Sequence, residues 1–379
     1  MAYHTTPYLL LFLPAALLFY QITPAKWRSY TLLIFSYLFF WSFSEKLIIY
    51  LIGTTFLTHH ICIWMDTMDK RDKRKKRVFQ LGILLLLGTI LCLKYRNFFF
   101  GNVSKLAMVL HIDWSYQDQL IFLPIGISFY TLSAIGYMAD VYWGKVKAEY
   151  SLVKTALFLG FFPVIVEGPI CRWEDVEDTL FKNESVKAEN VFKGCYRIIW
   201  GLFKKMIIAD RLAVLVDKVY VGYESYSGAV IVAAAISYTI QLYMEFSGCM
   251  DMVIGSAGLF GIRLPENFSQ PFFAKTCTDF WKRWHITLGV WFKNYIFYPV
   301  SISKTARKWN KFTRKHFKGD FGKYVARMGI AAMALFPVWI SNGLWHGPKW
   351  NYIFYGLYYF GLIFMGLALE PVRDRILAV

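Results

Sequence analysis

The chain has 379 residues, of which 57% are hydrophobic, 19% aromatic and 18% charged, with a formal net charge of +17. Soluble domains carry about a quarter charged residues, so this balance excludes an ordinary soluble globular protein. Seven basic residues in the eight of KRDKRKKR (70–77) lie between two apolar runs, a placement that argues against nucleic acid and for a cytoplasmic loop beside anionic lipid headgroups.

A hydrocarbon span needs on the order of 20 mainly apolar residues when helical. In chain order the candidate spans are 8–20, 30–43, 47–64, 78–93, 120–142, 152–169, 196–209, 229–246, 252–262, 328–345 and 352–369. The runs are continuous rather than alternating, which excludes a β-barrel and leaves helices to satisfy the backbone within lipid. The expected fold is an all-α polytopic integral membrane protein of ten or eleven helices, some of them re-entrant or interfacial. It forms one membrane domain over 1–379, with N-terminal helices in 1–93, a core in 120–356 and a C-terminal helix and tail in 352–379. Pro14 inside the first run, with no basic stretch before it, reads as a retained helix rather than a cleaved signal. Lys26 and Arg28 place the 21–29 loop on the cytoplasmic side, which puts the N-terminus outside.

Between the spans, 94–119 reads as an outer-face or interfacial segment, and 172–193 as a solvated loop with a short helix. Pro265 and Pro271 break the chain over 261–278. The stretch DFWKRWHITLGVWFKNYIFYP (279–299) mixes aromatic and basic residues, as segments at the membrane–water boundary do. A second basic stretch, 303–327, reads as another cytoplasmic loop.

Cys62, Cys92, Cys171, Cys195, Cys249 and Cys277 are scattered singly and read as small apolar residues, with no disulfide framework or metal site. His4 is terminal and His111 and His316 sit in polar stretches; His59 and His60 are neighbours whose side chains diverge on a helix, a poor metal pair. H-E-x-x-H is absent. His285 and His346 stand apart: each follows a tryptophan at the edge of an apolar segment, where an ionisable residue points to function. An isolated histidine of this kind can equally be a packed, hydrogen-bonded structural residue. Around His346, the residues Ser341, Asn342, Gly343 and Gly347 leave room for a substrate or backbone, and Pro348 ends the helix. A low-dielectric wall would keep its imidazole neutral and able to take a proton from an alcohol. G-x-S-x-G is missing, which favours direct attack by a substrate hydroxyl over a covalent enzyme intermediate. Asp140, Glu167, Glu245 and Asp251 read as caps or ion-paired structural acids, the last two at the end of one span and the start of the next.

The segments LPIGISFYTLSAIGYMADVYWG (123–144), FFPVIVEGPICRWEDV (161–176), GLFKKMIIADRLA (201–213), YMEFSGCMDMVIGSAGLFGIRLPENFSQPF (243–272), the 279–299 stretch and NGLWHGPKWNYIFYG (342–356) together resemble the membrane-bound O-acyltransferases. The pattern is most similar to the bacterial branch that holds the alginate O-acetyltransferase membrane subunit and the subunit passing D-alanine to teichoic acids. The resemblance implies His346 as the catalytic histidine, His285 as its partner, and a central tunnel joining a cytoplasmic thioester donor to an outer acceptor. Trp281, Trp284, Arg283, Asp279 and Asn342 are candidates for lining the site; each fits an interfacial or packing role as well.

The expected activity is transfer of an acyl group, acetyl first, to hydroxyls of a cell-envelope polysaccharide at the cell membrane. No bound cofactor or metal is expected; acetyl-CoA or a phosphopantetheine thioester on an acyl carrier protein serves as donor, and membrane lipid and an outer-face acyltransferase protein are the expected partners. D-alanyl transfer to teichoic acid is the alternative, suggested by the short chain, since acetyltransferase-like relatives continue with more helices. A transporter or flippase is the rival of another class; it calls for internal symmetry that is not evident here.

Overall fold

The computed structural model describes residues 2–69 and 72–377, with side chains described to Arg373. Helices dominate: α1 (Leu13–Ile22), α2 (Arg28–Ser44), α3 (Ile48–Asp66), α4 (Lys73–Ile90), α5 (Arg96–Val109), α6 (Ile127–Trp143), α7 (Leu152–Gly160), α8 (Trp173–Leu180) and α9 (Ala188–Leu202). They continue with α10 (Asp210–Val221), α11 (Gly228–Leu259), α12 (Cys277–Arg283), α13 (Ile286–Phe292), α14 (Tyr298–Ser301), α15 (Lys304–His316), α16 (Gly319–His346), α17 (Trp350–Ala368) and α18 (Glu370–Leu377). Among the described residues the single β feature is an isolated antiparallel bridge between Phe268 and Trp284. Among the described residues, five helical segments are long and apolar enough to cross a membrane: Ala25–Asp66, Lys73–Val109, Gly228–Leu259, Gly319–His346 and Trp350–Ala368. The protein is an all-α, multi-pass membrane protein.

Several element boundaries differ from those read in the sequence. The expected spans at 229–246 and 252–262 are one helix of 32 residues, α11. Its middle, SGCMD, holds small residues that suggest a break but serve packing instead. The expected spans at 120–142 and 152–169 yield helices of 17 and 9 residues. Pro124 and the positive φ of Gly126 delay the start of α6, while Pro163 bars continuation of α7 soon after its end at Gly160. The basic stretch expected as a loop at 303–327 is helical almost throughout, as α15 and the first turns of α16. Ser303 caps α15, accepting from the Ala306 N–H at 3.2 Å. Of the basic run at 70–77, Lys70 and Arg71 lie outside the described residues, and Lys73 onward opens α4 rather than continuing a loop.

The chain divides into two compact units. One gathers the chain up to Ile83 with Pro124–Asn267; the other gathers Leu84–Leu123 with the chain from Phe268 onward. In the first, α9 and α11 meet through glycines spaced by seven, Gly194 and Gly201 against Gly255 and Gly248. A Cβ on Gly201 would lie 2.6 Å from the Gly248 carbonyl oxygen, and one on Gly255 would lie 2.8 Å from that of Gly194. Lipid supplies no hydrophobic drive between helices, so backbone approach of this kind is what binds them. Beside it, Tyr8, Phe39 and Phe162 form an aromatic core, and the Tyr8 hydroxyl donates to Ser256 Oγ at 3.0 Å. Arg28 is largely buried and donates to the carbonyls of Thr23 and Asn183 at 3.1 and 2.9 Å, so it ties loops together.

Of the four acids read as caps or ion-paired residues, Asp140, Glu245 and Asp251 are ion-paired, and among the described residues Glu167 has neither role. Asp251 is bound by Arg197 at 3.0 Å and Lys204 at 2.6 Å, and Glu245 by Lys205 at 2.8 Å. Asp140 meets Lys145 at 3.4 Å, and Glu167 accepts from the Cys249 thiol at 3.4 Å. His59 and His60 go to separate partners, Thr155 Oγ1 at 3.0 Å and the Phe56 carbonyl at 2.7 Å.

In the second unit α16 and α17 pack through Gly343 and Gly356. A Cβ on Gly343 would collide with the Tyr352 carbonyl, and one on Gly356 with the Trp339 carbonyl. Trp309 of α15 lies across Gly329 of α16 and donates to the Val325 carbonyl at 3.4 Å.

Candidate functional site

Both histidines fall in the second unit, each at a helix end. Thr276 caps α12, its Oγ1 accepting from the Asp279 N–H at 3.0 Å, and Asp279 pairs with Arg283 one turn later at 3.1 Å. These contacts fix α12, which ends after seven residues. His285 then takes a left-handed conformation, φ 48°, before α13 begins. Such a φ is uncommon outside glycine, and histidine is among the residues that tolerate it. The Phe268–Trp284 bridge and the Ser269 N–H donating to the Arg283 carbonyl at 2.9 Å hold the turn from the other side.

That turn sends the His285 ring inward, where it is 4% exposed. Burial holds its imidazole below the ordinary histidine range, and the neighbouring His346 adds to the effect. A cavity of about 460 Å³ opens beside it, lined by Trp281, Trp284, His285, Leu288, Trp339 and Asn342. Trp281 stands edge-on to Trp339 and Tyr359 with ring centres 5.0 and 4.9 Å apart, and Trp284 stacks on Phe280 at 5.6 Å. Asn342 is 7% exposed, and its side-chain oxygen has no hydrogen-bond partner among the described residues. A buried acceptor left without a donor loses its hydration uncompensated, so this oxygen is suited to a donor brought by a substrate.

His346 is placed otherwise than expected. It is an exposed side chain at the last position of α16, not a buried one. Its ring is flanked by Trp345 at 5.0 Å, Tyr352 at 5.9 Å and Tyr355 at 5.5 Å. Trp345 is also edge-on to His285 at 5.5 Å, so one indole stands against both imidazoles. The glycines beside His346 serve packing rather than access. Gly343 receives the Tyr352 backbone, and a Cβ on Gly347 would come within 2.7 Å of the Tyr352 ring.

Of the expected site residues, the structure gathers Trp281, Trp284, His285 and Asn342 on one cavity and sets His346 one indole away. Asp279 and Arg283 are not part of the cavity lining; they pair with each other. The Arg283 guanidinium and the Lys275 N–H hold the Asp279 carboxyl below the usual carboxylate range.

Sequence reasoning missed the groups that fix the end of α16. The Lys94 ammonium donates to the Trp345 carbonyl at 2.6 Å, and the Tyr95 hydroxyl donates to the Leu344 carbonyl. Those carbonyls belong to the last helical turn, which lacks intrahelical donors. A cation there also suits the helix dipole. The signal was present: Lys94 is the first charge after the apolar run 78–93.

The family model that matches residues 145–315 is MBOAT, the membrane-bound O-acyltransferase family. A probable alginate O-acetylase of Pseudomonas putida is 31% identical over 359 residues, covering 95% of this chain and 69% of its own length. A peptidoglycan O-acetyltransferase of Helicobacter pylori is 28% identical over 408 residues, covering 98% of this chain and 70% of its own. A teichoic acid D-alanyltransferase of Bacillus subtilis is 29% identical over 241 residues, covering 62% of this chain and 56% of its own. The chain belongs to the membrane-bound O-acyltransferase family. It spans 69% of the Pseudomonas putida relative and 64% of a second alginate O-acetylase, from Pseudomonas aeruginosa.

Proposed function

We propose that this O-acyltransferase moves an acyl group, acetyl first, from a cytoplasmic thioester donor across the cell membrane to hydroxyls of a cell-envelope polysaccharide, with an outer-face protein completing the transfer. The observation that carries it is the pairing of His285 and His346 through Trp345 beside an aromatic-walled cavity that holds Asn342. Neutral imidazole of His346 takes the proton from the acceptor hydroxyl. The oxygen attacks the thioester carbonyl, the carbon–sulfur bond breaks, and the thiolate leaves with a proton returned from the imidazolium. His285 positions or polarises, and Asn342 is aimed to accept a hydrogen bond from the bound donor or acceptor. No covalent enzyme intermediate is needed.

The acetyl reading draws support from the longer alignment with the alginate O-acetylase, against 62% of this chain for the D-alanyltransferase. Acetyl-CoA is the proposed donor. The basic helix α15, with no acid among its thirteen residues, would suit CoA phosphates or an acidic acyl carrier protein equally.

The test is reconstitution in proteoliposomes with acetyl-CoA inside and a hydroxylated acceptor outside. His346→Ala should insert and fold but release CoA at the uncatalysed rate. Substantial acyl transfer by that variant overturns the assignment. Transfer only from a carrier-protein D-alanyl thioester moves the protein to the alternative branch, and uptake without a thioester donor moves it to a transporter.

A further inference from the structure

Taking a proton leaves a positive charge on the base, and the surroundings of His346 offer no counter-charge for it. A histidine acting as a general base is ordinarily backed by a carboxylate that steadies the imidazolium. In this unit Asp279, Asp320 and Glu370 pair with Arg283, Lys323 and Arg327 instead. Among the described residues no carboxylate pairs with His346. The charge that acts on it is the Lys94 ammonium, which has the same sign as an imidazolium.

What surrounds the ring is aromatic. Tyr352 lies nearly parallel to it, with 20° between planes and 5.9 Å between centres. Tyr355 and Trp345 stand across it at 83° and 75°, with centres 5.5 and 5.0 Å away. All three fall within the ~6 Å over which an aromatic quadrupole attracts a cation.

Each of these rings is held by groups other than the histidine. Tyr352 is gripped twice, its carbonyl against Gly343 and its ring against Gly347, where a Cβ would come within 2.7 Å. Tyr355 meets Tyr359 edge-on at 5.0 Å, and Tyr359 stacks at 5.4 Å on Trp339 of the histidine cavity wall. Trp345 is seated by the hydrogen bond from Lys94 to its carbonyl. Gly347 therefore does more than end a helix: it lets a flat ring lie beside the imidazole. The rings stand in place before any proton moves, so none has to reorganise when the charge appears.

We propose that Tyr352, Tyr355 and Trp345 form an aromatic cage that stabilises the imidazolium of His346, in place of a carboxylate, while it holds the acceptor's proton. That proton leaves the acceptor hydroxyl as its oxygen bonds to the thioester carbon. It passes to the sulfur as the carbon–sulfur bond breaks, and the imidazole is neutral again. The three rings act through His346, so they are positioning residues. The proposal rests on His346 as the base and adds what sustains the charge there.

Histidine-selective 13C labelling of the full chain in detergent tests it without any acyl donor. The His346 signal is the one lost in His346→Ala, and its titration midpoint is read across pH. The titratable groups around that ring are Lys94 and Tyr95 from the segment before α5, Tyr352 and Tyr355 from α17, and His285 across Trp345. Tyr352→Leu and Tyr355→Leu should each lower the midpoint by about 0.4–0.7 pH units, roughly a two- to fivefold loss of proton affinity for an exposed cation. Tyr352→Phe and Tyr355→Phe keep the aromatic face and should return the parental midpoint. In proteoliposomes the Leu variants should lose about two- to fivefold in kcat at unchanged KM, with the Phe variants near the parent. Unchanged elution in size exclusion and an unchanged His316 signal guard against misfolding. Leu variants with the parental midpoint, or Phe variants that fail to restore it, overturn the cage. A midpoint that falls while kcat stands overturns its part in transfer. A parent protein that transfers from no donor fells the acyl-transfer reading instead, and the midpoints still decide the cage.

Discussion

The Lys94 ammonium donates to the Trp345 carbonyl at 2.6 Å across 251 positions of the chain. It is the contact that seats the end of α16, and with it the indole standing against both imidazoles. Lys94→Met keeps the length of the side chain and removes the donor. Leaving a carbonyl in that position without its donor costs about 1–3 kcal/mol. The expected outcome is a lower thermal midpoint in detergent together with a fall in acyl transfer, while Lys94→Arg keeps most of both. A Lys94→Met protein with parental stability and turnover would leave the contact without consequence.

Asn342 should separate stability from function. Its buried side-chain oxygen lacks a partner among the described residues, so Asn342→Leu removes an uncompensated polar group from the cavity. Stability is expected to hold or rise by up to about 1 kcal/mol, while transfer falls. A variant that loses stability and keeps activity would show the carboxamide to be structural.

His285 carries a backbone demand as well as a side chain. At φ 48° a β-branched residue is strained, glycine is not, and asparagine is tolerated. The structure predicts that His285→Val unfolds at lower temperature than His285→Asn or His285→Gly, although all three lose transfer activity. Equal thermal midpoints for the three would refute the role assigned to the turn.

The Asp279–Arg283 pair sets an acid-side dependence. Its carboxyl is held below the usual range when folded, so its contribution is complete above the ordinary carboxylate pKa and is lost as pH falls through the lower folded value. Asp279→Asn should flatten that part of the stability profile between mildly acidic and strongly acidic pH and leave the neutral side alone. Thermal midpoints across pH measure this directly.

Packing of the first unit gives a structural control. Gly201→Leu would force a side chain into the Gly248 backbone, and the loss should exceed about 2 kcal/mol. The same change at Gly88, where nothing lies within 4 Å, should be mild. Comparable losses at the two positions would contradict the backbone-contact account of α9 and α11.

Much of this was legible in the sequence, and the misses share a cause. Apolar runs announce helices, and a histidine at the edge of such a run announces itself, so the membrane class, His285 and His346 were readable. Where helices meet was not. Gly248 falls between two expected spans and Gly255 inside the second, and neither reading shows that they pack on Gly201 and Gly194 far away in the chain. Gly343 reads as room for a substrate until the Tyr352 backbone is seen to fill it. Burial was misassigned for a related reason: the apolar run before His346 says nothing of which side its last residue faces. Conversely, Asp279 and Arg283 looked like site residues because they sit beside His285, whereas their spacing of four turns them toward each other.

The contact of α16 with α17 has a mechanical consequence. With the Tyr352 carbonyl lodged against Gly343 and the Trp339 carbonyl against Gly356, neither helix can slide or roll past the other without collision. The two form a stiff hairpin with His346 near its apex, a fixed anvil rather than a moving jaw. Across the cavity stand α12 and α13, each seven residues long, joined at the left-handed backbone of His285.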